Sequence, residues 1–222
     1  MENSHIQLAG IVLCGGTSSR MGQSKALLPF GNETMLQRVV RIMSDISSPI
    51  VVVKAENQSL PTLPDNILIT QDRITDQGPL EGIRMGLDAL IQNPDQAQVP
   101  TAAYVTSCDV PLLQPAFVQA VATHLGDAEV AVVEEDGFRH PLAAIYRTSV
   151  IPVIDSLLES DQRRPLFLFD QVKTVTVSTQ DLLSVDPNLS SLMNLNQPED
   201  YLAALQQAGL IPDPKTLAQL DL

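Results

Sequence analysis

Short apolar strands alternate with amphipathic helices along the whole chain, polar or glycine-bearing loops follow several strands, and no repeat or linker interrupts the pattern. These observations predict an α/β fold, a three-layer α/β/α sandwich around a mostly parallel sheet. Ile6–Cys14 (IQLAGIVLC) is an apolar run closed by glycines, as buried parallel strands are. Thr34–Ile46 carries an apolar helical stripe behind a Thr suited to N-capping. Strands are expected at Ile50–Val53 and Ile67–Thr70, and a helix at Pro79–Ile91 with proline in its first turn. Gly82 and Gly86 share one face of that helix and allow close packing beneath it.

A strand is expected at Thr101–Thr106, then a helix at Gln114–Leu125. Glu129–Glu134 and Pro141–Tyr146 read as strands around a loop, EDGFRH. Helices follow at Ser149–Glu159 and Pro198–Ala208, with a half-exposed strand at Lys173–Val177 between them; Arg163–Phe169 reads as either helix or strand. Residues 1–210 are expected as one domain, and 211–222 as a short, loosely packed C-terminal tail.

The chain has 222 residues, 44% apolar, a globular composition. Its net charge of −13 is uneven: the first 54 residues carry five Lys/Arg against three acids, the remainder eight against 23. That field disfavours nucleic acid but leaves room for local capture of a small anion. No apolar stretch approaches a membrane span, and the first residues, MENSHIQLAG, lack the pattern of a signal peptide. Two cysteines without CxxC spacing argue against a disulfide framework or a zinc site and for a reducing cytoplasm.

Ligands of such sheets bind at the carboxyl ends of strands, and the loops after Cys14, Thr70 and Thr106 are expected to converge there. In LCGGTSSRMGQSK (Leu13–Lys25), Gly15 and Gly16 let backbone N–H groups approach an anion, and Arg20 and Lys25 add charge suited to phosphates. The stretch fits neither the Walker A nor the GxGxxG pattern, and a polar strand-to-helix turn holding two cations is the alternative. Asp109 in SCDVPLL suits Mg²⁺, which takes one or two carboxylates plus substrate phosphates; capping a turn is the alternative. Asp72 could accept hydrogen bonds from a base or ribose, or belong to an ordinary solvated connection. Asn194 and Asn196 alternate on an apparent strand and so face one way, although Asn196 could instead cap the next helix. Arg139, His140, Arg163 and Arg164 hint at a second anion site in an acidic region, while Arg163 and Arg164 could only neutralise a helix C-terminus. His140 has neither a nucleophile nor an orienting acid beside it in sequence, so a general-base role is disfavoured.

Taken in order, LxGGxSxRMGxxK, GPLEG, CDVPLL, FRHPL, an RR pair and NLNQPED resemble the molybdenum cofactor guanylyltransferases of the sugar-nucleotidyltransferase-like superfamily, over about residues 6–208. The resemblance implies a Rossmann-like nucleotide-binding half and the reaction of GTP with Mo-molybdopterin to give the guanine dinucleotide cofactor and pyrophosphate. It implies that Leu13, Cys14, Gly15 and Gly16 form the nucleotide loop and that Lys25 holds phosphate, with Arg20 as its motif arginine. It further implies that Asp72 contacts nucleotide, that Asp109 binds Mg²⁺, and that Asn194 and Asn196, with Arg139 and His140, serve the pterin side. Molybdoenzyme-maturation proteins are implied partners. The chain departs from the family's usual LAGG, since Cys14 replaces Ala; it also reads VVVKAENQ where some members place a nucleotide-contacting Asn. The double glycine leans toward GTP. Two alternatives stay open: a cytidylyltransferase making the cytosine dinucleotide, and a non-catalytic GTP-binding maturation factor.

Overall fold

The computed structural model describes residues 8–15, 24–73, 78–93 and 99–220. The strands are β1 (Leu8–Leu13), β2 (Pro29–Phe30), β3 (Glu33–Thr34), β4 (Ile50–Lys54), β5 (Leu68–Gln71), β6 (Ala102–Ser107), β7 (Val130–Glu135), β8 (Phe138–Arg147) and β9 (Thr174–Ser178). The helices are α1 (Met35–Ser44), α2 (Pro79–Gln92), α3 (Pro115–Thr123), α4 (Ile151–Glu159), α5 (Pro165–Phe169), α6 (Thr179–Leu182), α7 (Pro198–Gln207) and α8 (Pro214–Gln219). The main sheet has the order β5-β4-β1-β6-β8-β7-β9, with only β8 antiparallel to its neighbours; β2 and β3 form a small separate hairpin.

Each face of the sheet buries a helical layer, which makes three layers. One core packs α1, α3 and α6 on the sheet through Leu36, Met43, Phe117, Val121 and Leu182. The other packs α2, α4 and α5 through Leu80, Ile83, Leu87, Ile154 and Phe169. Local sequence explains the framing of these helices. Thr34 and Gln37 close a reciprocal capping box at the start of α1. Gly78, at φ +74°, turns the chain into Pro79 at the first position of α2. Gly86 lies so near β1 that an added Cβ would sit 2.5 Å from Ile11 Cγ2, which explains the glycine spacing on this helix.

Four expectations change. The loop EDGFRH is instead a two-residue turn at Asp136–Gly137, both with positive φ, so Phe138, Arg139 and His140 belong to β8 and pair with β7. The register shifts after Val132, which leaves Pro141 in a bulge where its missing N–H costs no ladder bond. Asn194 and Asn196 lie on no strand; they are exposed either side of buried Leu195, and that segment makes one backbone hydrogen bond, Leu195 N to Asp109 O at 3.0 Å. The N-cap of α7 is Gln197, not Asn196, because Asp200 Oδ2 accepts the N–H groups of both Asn196 and Gln197. Residues 213–220 are not loosely packed: Asp213 caps α8 by accepting from Thr216, and Leu220 is buried in a third core with Phe30, Met35, Tyr201 and Leu205.

This topology fixes where a site can form. The chain passes from β1 outward through β4 and β5, then returns to β6 on the other side of β1. The strand order therefore reverses beside β1, and the crevice at the carboxyl ends of β1 and β6 is the natural binding place. The amino ends of α2 and of antiparallel β8 reach the same edge.

Candidate active site

Lys25 sits on a short turn, Lys25–Leu27, just before the β2–β3 hairpin. Its Nζ donates to Asp109 Oδ2 at 2.8 Å and to Asn196 Oδ1 at 2.7 Å. Residues far apart in sequence are thus joined through one ammonium. The Ser107 hydroxyl, at the end of β6, donates to Asp109 Oδ1. Both carboxylate oxygens are therefore oriented from different sides. The turn that carries Asp109 is fixed by Cys108 N to Leu13 O at 2.9 Å and by Arg38 Nε to Pro111 O at 2.7 Å.

Asp72 follows β5, its N–H bonded to Lys54 O at 3.2 Å. An added Cβ on Gly15 would lie 3.2 Å from Asp72 Oδ2, and one on Gly82 would lie 3.6 Å from Oδ1. Two glycines thus make room for this carboxylate between the end of β1 and the start of α2. Asp72 Oδ1 is buried without a hydrogen-bond partner. Burial first, and the Glu81 carboxylate second, push the Asp72 pKa up to about 6. Glu81 is itself buried and accepts from Arg73 N at 3.2 Å and Arg73 Nε at 3.1 Å.

The second basic cluster stands apart in its contacts. The Arg139 guanidinium lies 3.5 Å from Glu134 and 5.8 Å from the centre of the Phe169 ring. His140 Nε2 is buried, without a hydrogen bond, 3.6 Å from a Glu135 carboxylate oxygen. Desolvation lowers the His140 pKa against the opposing pull of Glu135, so the ring is neutral at pH 7. Arg163 pairs with its neighbour Asp161 at 2.7 Å, while its carbonyl oxygen lies 3.4 Å from where a Gly78 Cβ would stand, at the start of α2. Arg164 precedes α5 as its N-cap residue.

Lys25, Asp109 and Asn196 therefore come together, and Leu13, Cys14, Gly15 and Asp72 line the adjoining strand ends. Asn194 is exposed two residues from Asn196. Gly16 and Arg20 lie outside the described residues. Among the described residues, no cluster of three or more His, Cys, Asp or Glu side chains is placed to hold a metal, so a metal here would depend on Asp109 with ligands from a substrate. Sequence reading missed Ser107 and Glu81, which stand inside the motifs SCDVP and GPLEG.

Residues 10–175 match the MobA-like NTP transferase domain. The chain belongs to the MobA-like NTP transferase family. It is 37% identical over 208 residues to a probable molybdenum cofactor guanylyltransferase of Mycobacterium avium, covering 91% of this chain and 97% of that one. A protein of the same name from Carboxydothermus hydrogenoformans is 33% identical over 190 residues, 86% of this chain and 91% of the relative. Solved structures agree on the fold. Molybdopterin-guanine dinucleotide biosynthesis protein A from Archaeoglobus fulgidus superimposes with a TM-score of 0.73 at 18% identity, over 91% of this chain and 99% of that one. The 2-C-methyl-D-erythritol 4-phosphate cytidylyltransferase of Thermus thermophilus superimposes with a TM-score of 0.63 at 14% identity, over 90% and 98%. Membership of the MobA-like family makes this chain a nucleotidyltransferase. Among the described residues no helix is long and apolar enough to cross a membrane.

Proposed function

We propose that this protein transfers GMP from GTP to Mo-molybdopterin, giving molybdopterin guanine dinucleotide and pyrophosphate. The observation that carries the reading is the meeting of Lys25, Asp109 and Asn196 at the strand ends beside Asp72 and Gly15. The names of the relatives support guanylyl transfer in particular.

A phosphate oxygen of molybdopterin attacks the α-phosphorus of GTP; the bond from that phosphorus to the bridging oxygen breaks, and pyrophosphate leaves with the electron pair. The attacking oxygen is already anionic, so no general base is needed, and catalysis is positioning with charge neutralisation. The backbone at Leu13, Cys14 and Gly15 faces the phosphates, and the motif assigns Gly16 and the cation of Arg20 to the same nucleotide. Lys25 steadies the departing pyrophosphate. Asp72, once ionised, accepts hydrogen bonds from the nucleoside. Arg139, His140, Asn194 and Asn196 hold the pterin phosphate.

The donor set at Asp109 fits Mg²⁺: a carboxylate held by Ser107 that already draws a cation to its other oxygen. When bound there, Mg²⁺ supplies Lewis-acid neutralisation of the phosphate oxygens. Two buried free thiols suit a reducing cytoplasm, where we place the reaction, within a single domain that α8 joins through Leu220. Proteins of molybdoenzyme maturation would take up the product.

The test incubates the protein with Mg²⁺, Mo-molybdopterin and each nucleoside triphosphate in turn, and identifies the dinucleotide by mass spectrometry. GTP alone should give product. Product from CTP alone reassigns the nucleotide, and none from any triphosphate removes the enzymatic reading. Asp109→Ala should retain the fold and lose turnover by orders of magnitude; undiminished activity refutes the role of Asp109.

A further inference from the structure

The turn after β4 has no part in the roles assigned above. Gln58 N bonds Ala55 O at 3.2 Å, and Asn57 takes a left-handed conformation at φ +60°. This tight return aims the Gln58 side chain back across β4 toward the glycine loop. Its Nε2 donates to Cys14 O at 3.0 Å and to Ser24 Oγ at 3.4 Å, while its Oε1 accepts from Ala55 N at 2.9 Å. Cys14 O can only accept and Ala55 N can only donate, so the amide has one permitted orientation. The Lys54 ammonium adds a contact to Gln58 O at 3.4 Å.

Cys14 and Ser24 are the two ends of the segment expected to wrap the nucleotide phosphates. Cys14 is where the chain leaves β1, and Ser24 stands next to Lys25. A single half-buried amide therefore ties both ends of the loop to each other and to β4. We infer that Gln58 is a positioning residue for the nucleotide: it fixes Cys14 and Ser24 relative to each other before GTP arrives, and so places the backbone at Cys14 and Gly15 and the neighbouring Lys25. This rests on the nucleotidyltransfer reading above. Contact groups that are already fixed lose less conformational freedom on binding, and so bind more tightly.

Two substitutions in the full chain separate this role from simple support of the turn. Gln58→Glu keeps an oxygen for Ala55 N and removes both donors, whereas Gln58→Leu removes all three bonds. Both variants should weaken Mg–GTP binding about 10-fold in calorimetry, because the loop ends must then be ordered on binding. The KM for molybdopterin should not change, and the amides at 14–15 and 24–28 should exchange hydrogen faster. If Gln58→Glu binds GTP as tightly as the wild type, the donors do not position the loop and the inference is overturned. If the wild type itself binds no GTP, the functional reading fails separately. Hydrogen exchange then decides the clamp: faster exchange in Gln58→Glu upholds it, and unchanged exchange overturns it.

Discussion

Lys25 holds its ammonium 2.8 Å from Asp109 Oδ2, so the carboxylate suited to a metal already carries a cation. The side chains are only 16% and 15% exposed, which leaves this pair less screened than a surface ion pair. On the roles proposed above, metal and lysine would compete for one oxygen, and nucleotide phosphates would release the lysine by offering it another partner. Lys25→Met should therefore tighten Mn²⁺ binding in the absence of nucleotide, by about 10-fold, while weakening Mn–GTP binding. Titration followed by electron paramagnetic resonance of free Mn²⁺ measures both. Metal affinity that does not rise without nucleotide refutes the competition.

Asp72 ties stability and binding to pH. Its pKa of about 6 in the folded chain exceeds the ordinary carboxylate value of 3.8, through burial first and Glu81 second. Between pH 4 and 6 Asp72 keeps a proton in the folded chain that it has released in the unfolded one, so its contribution to stability falls as pH rises across that window. Above it the ionised, half-buried carboxylate remains a cost. Asp72→Asn should thus be more stable than the wild type at pH 7.5, by about 1 kcal/mol after allowance for solvent screening, with no advantage below pH 4. The same ionisation should lower the wild-type KM for GTP as pH rises through 6. The Asp72→Asn variant should show a higher KM with a flat profile. Thermal melts and initial rates across pH 4–8 test both; a wild type that gains stability relative to Asp72→Asn as pH rises from 4 to 6 contradicts the sign.

Gly86 is a packing requirement. An added Cβ would meet Ile11 at 2.5, 2.9 and 3.1 Å, all side-chain carbons of a fully buried residue. Overpacking of this kind costs about 1–3 kcal/mol, against about 1 kcal/mol gained in helix propensity. Gly86→Ala should therefore lower the melting temperature by a few degrees. Combined with Ile11→Ala, the losses should be less than additive, because the second change removes the colliding atoms. Differential scanning calorimetry of the four chains closes the cycle; strict additivity would falsify the steric account.

The sheet and most helices were legible because their periodicity and caps are local. Thr34 with Gln37, Pro79 after Gly78, and the apolar runs of β1, β4 and β6 each act within a few residues. Asp136–Gly137 was legible too, since an Asp-Gly pair between apolar runs marks a two-residue hairpin; reading six loop residues there missed the extension of β8. Asp109 and Lys25 stood out by type and motif, but their contact was not legible. Asn196 reaches the same ammonium along a segment that bonds Asp109 O through Leu195 N, which leaves no periodic trace. Gln58 was invisible for the same reason: its partners are two backbone atoms and a serine hydroxyl, and backbone atoms carry no sequence signature.

Arg139 offers a test of the acceptor side. It projects from the amino end of β8 with Glu134 and the Phe169 ring holding its guanidinium, and it is one-third exposed. A charge so held is pre-oriented yet open to an incoming phosphate. His140 beside it is kept neutral by burial, so it contributes an N–H group and no charge at pH 7. Arg139→Ala should raise the KM for Mo-molybdopterin about 10-fold, the loss of one charge-assisted bond, and leave the KM for GTP unchanged. Arg139→Lys should recover part of the loss, since a point charge replaces the planar fork. Initial rates with each substrate varied in turn distinguish the outcomes. A rise confined to the KM for GTP would move Arg139 to the nucleotide side, and leave Asn194 and Asn196 to hold the pterin phosphate without it.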